Sequence, residues 1–205
     1  MSDPTPWLSQ PVQPELPADA APAPIVATTR VAAPQRGVPA PDRVDQLPTT
    51  TRTQNAEMWW VGTHGGAGES TLAALVPGWP TADHSWPQPA SGAPARVVLV
   101  ARSNLHGLKA AQAAARQWAA GLVPHAEVVG LVVIADAPGR LPKSLRDFMQ
   151  VVTGGVQRSW FLPWVEGWRL GEPPALDTAP REVRALVDEL ATILRTGAVG
   201  ASNER

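Results

Sequence analysis

The stretch MWWVGTHGGAGESTLAALV occupies residues 58–76 and decides how the rest of the chain is read. Met58–Gly62 is a short apolar run that ends in glycines, the pattern of a buried strand running into a turn. Ser70–Val76 then has the composition of a helix of about two turns, stopped by Pro77 and Gly78. Between them lie Gly65, Gly66 and Gly68, which reach backbone conformations closed to other residues. A strand, a glycine turn and a helix start in this order are what a phosphate-cradling loop requires. The loop aims backbone N–H groups at one point, and the helix dipole makes that point electropositive.

Working outward, Arg96–Ala101 and Val128–Ala135 are apolar on both faces, as parallel strands between helices are. Trp160–Leu162 reads as a further short strand. Leu105–Ala120 is apolar at helical spacing and ends at Gly121. Pro142–Val152 reads as a helix with proline in its first turn, and Pro180–Thr196 as an amphipathic helix. Strands alternating with helices predict an α/β domain of three layers, with a mostly parallel sheet of four or five strands. Residues 1–54 hold 11 of the 23 prolines and few large apolar side chains, which predicts a disordered tail, partly polyproline II. The domain is thus expected over residues 55–196, with 197–205 frayed. Residues 77–95, with five prolines, read as a long irregular loop.

Taken as a motif, His64-Gly65-Gly66-Ala67-Gly68-Glu69-Ser70-Thr71 resembles the deviant phosphate loop of the ParA/MinD family of P-loop ATPases, KGGxGK[ST]. Gly65, Gly66, Gly68 and Ser70 match, while His64 and Glu69 stand where that family has lysines. More loosely, 96–120, 130–135 and 160–166 resemble later units of the family fold, and 77–95 replaces its switch region. The resemblance implies ATP and magnesium as ligands and dimerisation across the loop, the latter resting on the lysine that His64 replaces. Glu69 argues against ATP chemistry. A unit charge pair at 4 Å is worth roughly 4 kcal/mol at an effective dielectric of 20, and Glu69 reverses its sign. No cofactor is therefore expected, and ATP with magnesium belongs only to the alternative of an active ATPase. The loop GTHGGAGEST also resembles that of an actinobacterial family found beside plasmid and conjugation genes.

Glu69 is expected to fold into the anion nest of residues 65–70 in place of a phosphate, with Asp83 in reserve. On that reading Glu69→Lys restores the family's charge and gains phosphate binding. Asp136, in Asp136-Ala137-Pro138-Gly139 after an apolar strand, reads either as a turn residue or as a metal-side aspartate. His64, Glu69, Asp83 and His84 are of types that could form a metal site or an acid/base pair, although no metal-ligand spacing supports the first. Of the nine tryptophans, adjacent Trp59 and Trp60 must face opposite sides of a strand, and Trp160, Trp164 and Trp168 are expected in a loop over the sheet edge.

A net charge of −1 gives no electrostatic case for nucleic acid. The absence of cysteine excludes disulfides and thiolate chemistry. Residues 1–10 lack the basic and apolar regions of a secretory signal, and no apolar run reaches the roughly 20 residues of a membrane helix. These features lead to the expectation of a cytoplasmic, P-loop-derived accessory protein that does not hydrolyse ATP and acts through a protein partner, in plasmid partition or conjugative transfer. A scaffold recruiting through its proline-rich tail is the further alternative.

Overall fold

A computed structural model describes residues 34, 35 and 37–202, with side chains as far as 196. Residues 1–33 of the expected tail, and 203–205, lie outside the described residues. In chain order the elements are β1 (Thr49–Arg52), β2 (Trp59–Gly62), α1 (Glu69–Leu75), β3 (Trp86–Pro89), β4 (Ala95–Arg102) and α2 (Leu105–Ala119). They continue with β5 (Ala126–Ile134), α3 (Lys143–Gly154), β6 (Ser159–Leu162), α4 (Glu166–Arg169) and α5 (Arg181–Ser202).

The molecule is an α/β domain. Strands β2, β4, β5 and β6 form a parallel sheet in that order, and β1 pairs in parallel with β3. Alternation along the strands sorts the core into two faces. Trp59, Val61, Val97, Leu99 and Ala101 pack with α2 and with Val152 of α3, whereas Trp60, Val98 and Val100 pack with Leu72 and Leu75 of α1 and with α5. Both adjacent tryptophans are therefore core, one on each face.

The expected loop at 77–95 is partly strand. In the 77–95 segment, Trp60 donates its N–H to Pro80 O (2.9 Å) and accepts from Ala82 N (2.8 Å), so Thr81 runs beside β2 on the edge away from β4. The chain then enters β3. Pro87 and Pro89 are tolerated there because β3 pairs with β1 alone and bonds through Trp86 N and Ala90 N.

The tail boundary at 54 is likewise corrected, since a 3-10 turn at Arg43–Asp45 and strand β1 fall before it. Proline composition understated this segment because its anchors are donors and acceptors on α2. Arg116 donates to the carbonyls of Pro39 and Ala40, and the Gln117 amide grips both backbone groups of Leu47. Val38 and Leu47 add apolar contact with the core. At the other end, α5 runs to Ser202. Trp168 lies in the short helix α4, which Pro163 precedes without preventing.

Candidate functional site

From β2 the chain passes first to the Thr81 edge and then crosses to β4 on the opposite side. This reversal opens a crevice beyond the carboxyl ends of β2 and β4, where open α/β sheets bind ligands. Residues 63–68 lie in it.

Glu69, the first residue of α1, is 6% exposed, and its carboxylate turns back beneath the loop. Oε2 accepts the Gly62 N–H at 2.5 Å, and Oε1 lies 3.0 Å from His84 Nδ1. His84 Nδ1 is also 3.1 Å from Gly62 O. With two oxygens facing it, Nδ1 carries the ring proton and donates. His84 reaches this place from a turn in which Asp83 (φ 52°) and His84 (φ 53°) both adopt the left-handed region, uncommon for residues other than glycine. Arg52 holds that turn through a 3.2 Å ion pair to Asp83, and the Thr81 hydroxyl donates to the same carboxylate at 3.0 Å.

The expectation that Glu69 fills the anion nest is thereby corrected. Its carboxylate serves Gly62 and His84, on the sheet side of the loop. Asp83 does not fill the nest either, being paired with Arg52. The N–H groups of Gly65, Gly66 and Gly68 make no hydrogen bond to a described residue, while Ala67 N donates to His64 O at 3.2 Å. Ser70 is exposed, and Thr71 lines a pocket beside Gly68.

His64 sits on the β4 side. Its Nε2 accepts the Arg102 N–H at 3.1 Å, which fixes the neutral ring's proton on Nδ1, donated to Gly65 O at 2.9 Å. Its ring lies edge-on to His106 at 5.3 Å. Gly107 permits this approach, because a Cβ there would stand 2.4 Å from Arg102 O and 2.9 Å from His64 Nε2. Burial, chiefly, holds the His64 pKa below its ordinary 6.5. The hydrogen bond to Gly65 opposes this, and His106, His84 and Arg102 add to the lowering. Burial acts the same way on His125.

The sign of the pH dependence follows. The unfolded chain takes up protons at these two histidines before the folded chain does, so their contribution is present above about pH 6.5 and lost below it. The urea midpoint is expected to fall between about pH 7.5 and pH 5.5, and to fall less in His64→Gln. A midpoint that rose on acidification would contradict this account.

Sequence reading missed Arg102. Its guanidinium donates to Gly66 O (3.2 Å) and Ala135 O (3.0 Å), bracing the glycine loop against the end of β5. The signal was an arginine ending an otherwise apolar parallel strand. Asp136 is exposed, and its N–H donates to Ser103 Oγ at 3.1 Å. It faces Arg102 electrostatically without an ion pair.

A family model matches residues 56–187, which span the loop, Arg102 and α4. The chain belongs to the family of unknown function DUF6668. No curated protein and no solved structure matches it. In this DUF6668 member, the four residues gathered from sequence as metal ligands or an acid/base pair separate into one close pair, Glu69 with His84, and two outliers. Among the described residues no three such side chains come together as a metal site needs. Where the resembled loop carries its second lysine, the Glu69 side chain is buried and already bonded to Gly62.

Proposed function

We propose that this chain is a P-loop-derived binding protein that does not hydrolyse nucleoside triphosphates and acts through a protein partner in the cytoplasm. The observation that carries the reading is the buried Glu69 carboxylate, bonded to Gly62 N–H and beside His84. In a working phosphate loop the corresponding lysine places a cation on the outer phosphates. Here that position holds the loop to the strand before it, so the loop is braced but carries no charge for phosphoryl transfer. Phe161, 47% exposed on edge strand β6, offers apolar surface for a partner at the same end of the sheet. The loop's resemblance to proteins beside plasmid and conjugation genes makes plasmid partition or conjugative transfer the setting in which to seek that partner.

Calorimetry of the full chain with millimolar ATP and magnesium is the test. No binding heat and no released phosphate are expected. Tight binding of ATP would overturn the reading in favour of an active ATPase.

A further inference from the structure

Beside the glycine loop, on the side of Gly68 and Thr71, a second concavity opens between Arg102 of β4 and Arg169 of α4. Ile134, Pro163, Trp164, Val165 and Trp168 complete its wall. Arg102 is fixed there by two carbonyls, and neither arginine is ion-paired among the described residues. Burial, chiefly, lowers the Arg102 pKa, Asp136 offsets part of this, and repulsion from the Arg169 guanidinium adds to the lowering. Arginine remains charged at any physiological pH, so the repulsion persists in the folded protein. Of the nearby carboxylates, Glu166 is occupied by the Trp164 indole N–H at 2.6 Å, and Glu172 packs against Gly167. The cavity is about 120 Å³. Sites for drug-sized ligands run from roughly 300 to 1,000 Å³, so this one suits a single oxyanion group with part of a stem.

We propose that this pocket binds a phosphate monoester dianion between Arg102 and Arg169, with the apolar stem of the ester against Trp164 and Trp168. Arg102 keeps its Nη2 donors free of the two carbonyls, and Arg169 adds a second cationic donor group. The indoles supply the stacking surface that a hydrated free ion cannot use. The binding needs no metal and none of the chemistry of a triphosphate loop. It stands whether or not the non-hydrolysing reading holds.

The test titrates the full chain with phenyl phosphate in the absence of divalent metal, following the indole N–H signals by heteronuclear NMR. Trp164→Phe and Trp168→Phe assign the signals. A dissociation constant on the order of 1 mM or tighter is expected, with inorganic phosphate several-fold weaker. Arg169 is exposed, so Arg169→Gln should keep the thermal midpoint while weakening binding by about tenfold or more, and Arg169→Lys should recover part of it. A short phosphoserine peptide forms the second arm. Tighter binding of the peptide identifies a protein-borne phosphate, and tighter binding of phenyl phosphate identifies a small molecule. The proposal is overturned by an absence of shifts at 10-fold the expected constant, or by binding undiminished in a folded Arg169→Gln variant. ATP binding that Arg169→Gln leaves unchanged would remove the functional reading, while phenyl phosphate binding weakened by the same variant would still support this site.

Discussion

Glu69→Ala is expected to lower the stability of this protein by about 2–4 kcal/mol, corresponding to roughly 4–16 °C in thermal midpoint for a chain of this size. The substitution leaves the Gly62 N–H without its acceptor, and a buried donor left unpaired costs roughly 1–3 kcal/mol. Loss of the His84 contact adds less, because that ring is 43% exposed and water replaces its partner. Glu69→Gln keeps an acceptor oxygen and should cost less than about half as much. Glu69→Lys, which sequence alone casts as a gain of phosphate binding, is expected instead to be the most destabilising of the three. It puts an ammonium against a backbone N–H in a site closed to water. Urea and thermal unfolding of the three variants check the order. Equal stabilities, or phosphate binding by a fully stable Glu69→Lys, would remove the clamp from the account.

Gln117→Leu should have an effect of similar size and a different signature. The Gln117 side chain is 4% exposed, and its Oε1 accepts from Leu47 N (3.0 Å) and Trp86 Nε1 (2.9 Å), while Nε2 donates to Leu47 O (3.0 Å). Leucine matches the volume and satisfies none of the three. The Leu47 groups can recover water by detaching, but the Trp86 N–H is buried and cannot, so about 2–4 kcal/mol is expected overall. Because Leu47 leads into β1, and β1 pairs with β3, release should spread along residues 41–52. Limited proteolysis with mass spectrometry distinguishes the outcomes. The native resistant fragment should retain residues 41–52, and the variant's should not. A native fragment beginning after residue 54 would return that segment to the tail.

Much of the fold was legible because its signals are local. Val97–Ala101 and Val128–Ile134 are continuous apolar runs that only a strand covered on both faces can use. The spacing of apolar residues in α2 and α5 declared a buried stripe in the same way. Strand β3 was hidden because Trp86-Pro87-Gln88-Pro89 has poor ladder chemistry of its own, and becomes a strand through the burial of one indole and the pairing with β1. Strand β1 was hidden because three threonines and an arginine within a proline-rich stretch carry no signal of the distant glutamine that anchors them.

The candidate site divides along the same line. The sequence by itself determined the glycine loop, its place between a strand and a helix, and the absence of a lysine at position 69, because each is fixed by residue type and by contacts a few positions apart. Where the Glu69 carboxylate points was decided only by the tertiary structure. The side chain bonds Gly62 beside His84, and His84 is brought there by a left-handed turn 15 residues on. The approach of Arg102 to Arg169 likewise exists only because the end of β4 and α4 line one pocket. Charges 67 positions apart in the chain have no local pattern to announce them, and the fold alone sets their distance.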